Sequence, residues 1–395
     1  MNTPMLAAIL FALYAADRAL KWVLVARFFA RQKEIVTPPN GWPSVALVQP
    51  VTRGATCLAE NLAARASLLY EGKIQHIIVC DQEDDASQAT CRTFLPGAQI
   101  ITTPPDILPS PVASKVAKMT EGVKHLENAD VVCFVDDDIL LPPHALQVLI
   151  APLYSSYHNT KGVAGAAFGL ACQTSWNTVW EALMSGFVNA NALTGYIPLV
   201  YFTPPYTVTG HVFALPRTVF EQIGGMTGLA KRFDDDHEIA RRVRALGLPL
   251  AQTPLVYRVA NALPTARAYN AQLRRWFTIP RQAMTPYLTS HERTVSLWLS
   301  IGNLLPALLL LLALASPPAR GWAFAAFGLF VAGYVGMERR YLPARTPPLG
   351  LWLLPVLAFW TPLQVLFAYL MPGGRIHWRG QTYRARRGGA LETEE

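Results

Sequence analysis

Apolar residues are distributed unevenly along the chain, with long runs at both ends and only short runs between them. The long runs are Met5–Ala30, Val295–Ser316, Trp322–Met337 and Leu349–Met371. A helix of about 20 apolar residues crosses a bilayer core of ~30 Å. The pattern predicts a membrane anchor in residues 1–33 and transmembrane helices in residues 295–371. Pro306, Pro355 and Pro362 are expected to kink two of these helices.

The first apolar run contains three charged residues, Asp17, Arg18 and Lys21. Charges are costly in lipid unless they pair or face other helices, and Asp17 and Lys21 are four residues apart, so they can pair on one helical face. The run has no small-residue cleavage site, and the basic residues Arg27 and Arg31 follow its core. An uncleaved anchor is therefore favoured over a signal peptide. An interfacial amphipathic helix is the alternative.

Basic residues indicate which ends of the apolar runs face the cytoplasm. The loop Glu338–Arg345 contains three arginines, and positive loops favour the cytoplasmic side. We therefore expect a multi-pass protein of a membrane such as the bacterial inner membrane, with its central unit in the cytoplasm. Four spans would place the arginine-rich tail, residues 372–395, on the opposite side, so one run is expected to lie flat or re-enter. The end of the tail, Gly388–Glu395, is expected to be disordered.

Between the long runs, short apolar runs alternate with helical patterns. Val45–Val48, His76–Cys80 and Val131–Val135 are predicted strands. Helical spacing of apolar residues follows the first strand, over 58–69, and precedes the third, over 116–126. Strands separated by helices predict an α/β fold with a parallel, doubly wound sheet, in which ligands bind outside the carboxyl ends of the strands.

Acidic residues stand at two of those strand ends. Asp81 follows the second strand, and Asp136-Asp137-Asp138 follows the third. Alternate residues of an extended segment point to the same side, so Asp136 and Asp138 are expected to face one point. Two carboxylates suit a hard divalent cation, because Mg²⁺ commonly takes one or two carboxylates plus substrate phosphates. A solvated acidic turn is the alternative.

Three further features are open to two interpretations each. Asp234-Asp235-Asp236 precedes a predicted helix, His237–Leu246, where acidic residues also serve as caps. Lys115 opens the helix before the third strand, where a lysine is unfavourable unless it meets an anion. Gln272–Trp276 is basic and aromatic, which also fits a helix lying at the bilayer surface.

Composition narrows the classes of function. Hydrophobic residues make up 52% and charged residues 15% of the chain, against about a quarter charged in soluble domains. The net charge of +8 is explained by flanking arginines, which favour anionic lipid. The central unit has no basic helix with interleaved aromatics, so no nucleic acid is expected. The five cysteines lack metal-type spacing and are expected to be reduced core residues.

The acidic motifs together resemble those of the family 2-type glycosyltransferases, and within them the ceramide glucosyltransferase-like group. These enzymes have three successive aspartate motifs. Asp85 is the best match for the first aspartate, and Asp81, directly after its strand, is the alternative. Asp136 matches the second aspartate and Asp236 the third.

The resemblance extends to the fourth motif of this group, (Q/R)xxRW, which Gln272, Arg275 and Trp276 match letter for letter. Lys115 stands where the group has a lysine before the second aspartate. His211 ends a segment, Val-Thr-Gly-His, that is similar to the one before the third aspartate. Four ordered motifs make coincidence improbable.

The resemblance implies a GT-A-like, doubly wound, mostly parallel sheet in a cytoplasmic nucleotide-sugar domain, residues 41–265, followed by an interface region, residues 266–294. It implies inverting transfer from a UDP-sugar to a lipid hydroxyl, of a ceramide-like or hopanoid-like acceptor, with Mg²⁺ or Mn²⁺ at Asp136 and Asp138. Asp236 would be the base. The remaining implied residues are Gln272, Arg275 and Trp276 in catalysis, and Asp81, Asp85, Lys115, Asp136 and His211 in substrate binding.

Two other functions remain possible at this point. A processive polysaccharide synthase has the same motifs but builds a channel for its product, usually from more spans than the few counted here. A non-enzymatic membrane scaffold would be expected to lack the carboxylates at the sheet edge, and they are present. The motifs encode neither the sugar nor the lipid.

Overall fold

The structure is a computed structural model that describes residues 2–31, 37–104, 114–155, 162–260, 262–371, 375–378 and 381–393. Its strands are β1 (Val45–Pro50), β2 (Ile74–Asp81), β3 (Gln99–Thr103), β4 (Val131–Val135), β5 (Ile139–Leu140), β6 (Ala166–Gln173), β7 (Val212–Pro216), β8 (Leu250–Val259), β9 (Arg375–Trp378), β10 (Gln381–Ala385) and β11 (Leu391–Thr393).

The helices of the described residues fall between these strands and at both ends of the chain. They are α1 (Thr3–Arg31), α2 (Leu58–Ala66), α3 (Asp85–Phe94), α4 (Ser114–Gly122), α5 (Ala145–Tyr154), α6 (Val179–Leu199), α7 (Arg217–Gln222), α8 (Asp235–Ala245), α9 (Ala266–Ile279), α10 (Ser290–Ile301), α11 (Leu305–Ala315), α12 (Arg320–Tyr341), α13 (Pro348–Trp352) and α14 (Thr361–Leu370).

The parallel half of the predicted sheet is confirmed. β3, β2, β1 and β4 are neighbours in that order, and all their pairings are parallel. Every residue of β1 and β4 is buried, since α4, α7 and α8 cover one face and α5 covers the other. Strands buried on both faces are typical of parallel sheets. The strand ends therefore meet at one edge, as the sequence predicted.

The other half of the sheet differs from the prediction of a mostly parallel arrangement. The order continues β7-β6-β8-β5, and the β4–β7, β7–β6 and β8–β5 pairings are antiparallel. Only β6 and β8 are parallel in this half. The sheet is therefore mixed. β7 inserts beside β4 in the reverse direction, which brings the loop before β7 to the carboxyl end of β4.

The apolar helices form a separate layer that packs against the sheet and the helices covering it (residues 41–265, hereafter the sheet unit). α1 and α12 run side by side, with the rings of Phe11 and Trp322 5.3 Å apart and those of Phe29 and Tyr341 stacked at 4.6 Å. Two helical segments of the described residues, 290–315 and 317–341, are long and apolar enough to cross a membrane by length and composition.

The charges of α1 are paired inside this helical layer. The Lys21 Nζ lies 2.9 Å from Asp17 Oδ1, so the pairing that the sequence predicted is confirmed. Lys21 also donates to the carbonyl of Leu299, and Arg18 donates to Asp17 and to Asn303. The cost of burying these charges is offset by contacts with neighbouring helices.

The helices break close to the prolines that the sequence singled out. A 3₁₀ turn, Gly302–Leu304, separates α10 from α11 just before Pro306, and a π-helical turn, Val356–Trp360, lies between Pro355 and Pro362. Proline lacks the donor that continues an α-helix, so such turns are expected beside it.

The end of the chain is more ordered than the sequence indicated. Among the described residues, β10 pairs with both β9 and β11, and Leu391 is buried in the main hydrophobic cluster of the sheet unit. The prediction of disorder for Gly388–Glu395 is therefore wrong up to Thr393; residues 394 and 395 lie outside the described residues.

Candidate active site

Lys115 is the cation around which the predicted site is assembled. Its Nζ lies 2.8 Å from Asp136 Oδ1 and donates to the carbonyl of Gly210 at 2.9 Å. Burial by itself lowers the pKa of Lys115, but the carboxylates of Asp136, Asp235 and Asp236 raise it above its ordinary value. Three separate elements, the end of β4, the start of α8 and the loop before β7, therefore face this one ammonium group.

Asp236 reaches this point by packing against Gly210. A Cβ added to Gly210 would lie 2.7 Å from Asp236 Oδ2, so only glycine allows the carboxylate to lie there. Burial and the charge of Asp235 raise the pKa of Asp236 to about 7, although Lys115 opposes the shift. The second oxygen, Oδ1, accepts from the backbone N–H of His237 at 2.8 Å.

Asp81 lies in the same region, and Asp85 does not. Asp81 ends β2 and is nine-tenths buried, and its Oδ1 lies 2.7 Å from Lys118 Nζ. Lys118 stands one turn after Lys115 on α4 and also donates to the carbonyl of Val51. Asp85 is exposed in the first turn of α3. Of the two candidates for the first motif aspartate, the structure therefore brings Asp81 to the site.

Asp136, Asp137 and Asp138 form a turn between β4 and β5, where the sequence suggested an extended segment. Asp137 accepts from the backbone N–H of Thr52 at 2.5 Å, which ties the turn to the end of β1. Burial, followed by the charges of Asp136 and Asp137, raises the pKa of Asp138 to about 8. The Oδ1 of Asp138 is buried and has no hydrogen-bond partner among the described residues.

His211 lies between the acidic turn and the (Q/R)xxRW helix. Its carbonyl accepts from the backbone N–H of Asp136 at 2.9 Å. Burial and the positive charges of Lys115 and Arg275 lower the pKa of His211 to about 3, so its ring is neutral. The influence of Arg275 on His211 also means that α9 approaches the site.

The three motif residues of α9, Gln272, Arg275 and Trp276, lie in two different environments. Arg275 donates to Gln272 Oε1 at 3.0 Å. Trp276 is half-buried and packs, with Tyr269, against a cluster of apolar residues that includes Tyr334 of α12. The structure therefore brings Arg275 towards the sheet edge and places Trp276 among the apolar helices.

Sequence reasoning missed Lys118 and Tyr257, and it noted Thr209 only as part of the Val-Thr-Gly-His segment. Lys118 is three residues after Lys115, a spacing that indicates a shared helical face. The Tyr257 hydroxyl lies 3.2 Å from Thr209 Oγ1, and burial, with the nearby charges of Asp136 and Asp138, raises the pKa of Tyr257. Tyr257 belongs to β8, a strand that the apolar pattern did not predict, so no local signal identified it.

Carboxylates and lysines converge at the edge of a sheet, next to a layer of apolar helices. Comparison with known protein families identifies the family to which the chain belongs. Residues 4–391 match the model of glycosyl transferase family 21, and the chain belongs to that family. It is therefore a glycosyltransferase. No protein with a curated description matches the chain significantly.

Two solved structures that align with the chain have low sequence identity to it. A mannosyltransferase from Pyrobaculum calidifontis, in complex with GDP-mannose and Mn²⁺, aligns with a TM-score of 0.46 and 16% identity, over 85% of this chain and 98% of that one. Glucosyl-3-phosphoglycerate synthase from Mycobacterium tuberculosis, in complex with Mn²⁺, UDP and glucosyl-3-phosphoglycerate, aligns with a TM-score of 0.35 and 14% identity, over 60% and 79%. Neither likeness is near enough to bear on the donor or the acceptor.

Proposed function

We propose that this glycosyltransferase is membrane-bound and moves one sugar, with inversion, from a UDP-sugar to the hydroxyl of a lipid. The observation that carries the proposal is the position of Lys115 between Asp136 and the carbonyl of Gly210, against which Asp236 packs. The second and third motif aspartates thus both lie near one cation, an arrangement suited to acting on a single sugar diphosphate.

The donor would lie at the carboxyl ends of β1, β2 and β4. Asp81 is suited to the nucleotide base, since it ends β2 and is fixed by Lys118. Lys115 and Arg275 would contact the diphosphate, because each is a cation at the edge of the sheet. His211, held neutral between them, would offer a hydrogen bond without adding charge.

The acidic turn fits a divalent cation. The buried Oδ1 of Asp138 has no hydrogen-bond partner among the described residues, and burial, followed by the charges of Asp136 and Asp137, raises the pKa of this carboxyl group, so a bound cation would favour its charged form. Among the described residues no group of three or more His, Cys, Asp or Glu side chains is arranged to hold a metal. Asp136 and Asp138 would hold Mg²⁺ or Mn²⁺ together with donor phosphates. When bound, the ion stabilises negative charge on the departing diphosphate.

Asp236 would accept the proton of the attacking hydroxyl. The carboxylate has one oxygen, Oδ1, held by the N–H of His237, which leaves Oδ2 for the acceptor. A single displacement with one base inverts the anomeric centre, so an α-linked donor gives a β-linked product. Asp236 would thus position the acceptor hydroxyl and also remove its proton.

The acceptor would enter from the apolar helices. The helix α9 carries Arg275 towards the donor and Trp276 into the apolar cluster of α12, so one helix joins the chemistry to the helical layer. The loop before β7 is joined to α10 in the same way, since the Tyr206 hydroxyl lies 2.8 Å from Ser296 Oγ.

The assay that tests this function uses membranes containing the protein, a panel of radiolabelled UDP-sugars and extraction of lipids. We expect one donor to label a lipid that carries a single sugar, and we expect EDTA to remove the labelling. Label in a polymer would favour the processive synthase. No labelled lipid with any donor, in the presence of Mg²⁺ or Mn²⁺, would contradict the proposal.

The last apolar segment, 348–370, would re-enter the membrane without crossing it. Its start contacts the sheet unit, because Gly350 packs against Trp176, and its end contacts the interface region, because Arg281 donates to the carbonyl of Tyr369 at 3.2 Å. Three crossings, by α1, α10–α11 and α12, then leave the arginine-rich tail on the cytoplasmic side, in accord with the positive-inside rule.

Cysteine labelling tests this topology. Cys57 is the exposed one of the five cysteines, so Cys57→Ser gives a background in which Ser316→Cys and Arg387→Cys are separately probed. We expect an impermeant maleimide to label Ser316→Cys in intact spheroplasts, and to label Arg387→Cys only after disruption. Labelling of Arg387→Cys in intact spheroplasts would rule out the re-entrant segment.

A further inference from the structure

The tail folds back onto the loop that precedes α8. Between β10 and β11 the chain makes a turn, residues 386–391, hereafter the tail turn. Gly388 donates its N–H to the carbonyl of Gln282 at 2.7 Å, and Leu391 donates to the carbonyl of Lys231 at 2.9 Å. The carbonyl of Gly389 accepts from the N–H of Phe233 at 3.3 Å. The tail turn is therefore bonded on one side to Gln282 of the interface region and on the other side to the loop before α8.

The sequence of the tail turn is adapted to this close approach. Gly388 and Gly389 have φ values of 93° and 92°, a region that favours glycine. A Cβ on Gly389 would clash with Asp234 Oδ1 and with the guanidinium of Arg232. Leu391, only 5% exposed, inserts into the main hydrophobic cluster of the sheet unit.

Arg232 connects the tail turn to the start of α8. Its guanidinium donates to the carbonyl of Gly388 at 2.6 Å and to both oxygens of Asp234, at 3.0 and 2.9 Å. The Asp234 side chain is completely buried, and the Asp234 carbonyl accepts from the N–H of Glu238 to begin α8. A bidentate pair of this kind fixes orientation as well as charge.

A second contact reaches His237, the residue after Asp236, through Tyr287. A Cβ on Gly388 would lie 3.0 Å from the hydroxyl of Tyr287, so the tail turn touches that ring. The Tyr287 ring lies 6.3 Å from the ring of His237, between centroids. The tail turn thus contacts structure on both sides of Asp236, whose own Oδ2 has no spare room against Gly210.

We propose that the tail turn is a brace that positions Asp236 for catalysis, with Arg232 and Leu391 as its positioning residues. This inference rests on the proposed role of Asp236 as the base. The brace acts on the orientation of the base and not on the proposed donor contacts, because none of its contacts is with Asp81, Lys115 or Asp136 among the described residues.

Two substitutions loosen the brace in different ways. Gly389→Ala adds one methyl group against Asp234, and Leu391→Ala empties the buried site of the leucine. Their matched controls are Ala390→Ser, an exposed position in the same turn, and Leu391→Met, which keeps an apolar side chain of similar volume. For each full-length variant, kcat and KM are measured with the labelled donor, and the Kd for UDP is measured directly by titration.

We expect Gly389→Ala and Leu391→Ala to lower kcat about tenfold or more, since small misplacement of a catalytic group is costly, while the Kd for UDP stays within about twofold. Both controls should retain the kcat of the parent. An unchanged kcat in Gly389→Ala would overturn the brace, and so would equal loss of kcat and UDP binding, which indicates support of the fold alone. Full activity of Asp236→Asn would instead overturn the role of the base.

Discussion

Replacing Asp236 with asparagine is expected to abolish sugar transfer while leaving donor binding nearly unchanged. Asparagine has the same shape and retains the hydrogen bond from the N–H of His237, but it cannot accept the proton of an attacking hydroxyl. The loss in kcat should be about 10²- to 10⁴-fold, the usual contribution of a general base. Turnover measured with the labelled donor, beside a UDP titration, separates the two effects.

The pH dependence of the parent enzyme tests the assignment of Asp236 as the general base. The base acts in its deprotonated form, and burial, with Asp235, raises the pKa of Asp236 to about 7. The active form therefore becomes more abundant as the pH rises through about 7, so kcat/KM should increase with pH and level off above it. A flat profile over about pH 5 to 9, or full activity in Asp236→Asn, would show that another group removes the proton.

The second large effect is expected for Asp136→Asn, which should weaken metal-dependent donor binding. The substitution removes one of the two carboxylates proposed for the ion and takes the anionic partner from Lys115. We expect the affinity for UDP in the presence of Mn²⁺ to fall about 10- to 100-fold, the loss typical of a charged contact. Titrations with and without the metal provide the measurement.

The same substitution at an exposed aspartate is the control for Asp136→Asn. Asp85→Asn should bind UDP as the parent does, because Asp85 is exposed on α3 while Asp81 is the carboxylate beside Lys118. Turnover of Asp136→Asn at the parental rate without added metal would contradict chelation by Asp136. Loss of UDP binding in Asp85→Asn would return Asp85 to the first motif.

The parallel half of the fold could be predicted from the sequence because its strands are buried on both faces and alternate with helices. β4 was predicted with its observed bounds, Val131–Val135. The antiparallel half could not, since β5 has only two residues and the sequence of β7 does not record that it runs antiparallel beside β4. The mixed sheet therefore depends on pairings between distant segments, which local patterns do not record.

The sequence likewise predicted only part of the candidate site. Asp136 and Asp236 were predicted from motif order, and both face Lys115. The motif pattern favoured Asp85 over Asp81 as the first aspartate, whereas the exposure of Asp85 and the ion pair of Asp81 favour Asp81. The contacts of Leu391 were missed because a single apolar residue in a polar tail gives no periodic signal.

The buried charges of α1 have a consequence for how the protein is made. Arg18 meets Asn303, 285 positions later in the chain, and Lys21 meets the carbonyl of Leu299. Under the proposed topology, α1 enters the bilayer before α10 has been synthesised, when Arg18 and Lys21 have Asp17 beside them but not yet their distant acceptors. In that topology the last contacts of α1 form only after translation has passed the whole catalytic unit, which couples membrane insertion to completion of the enzyme.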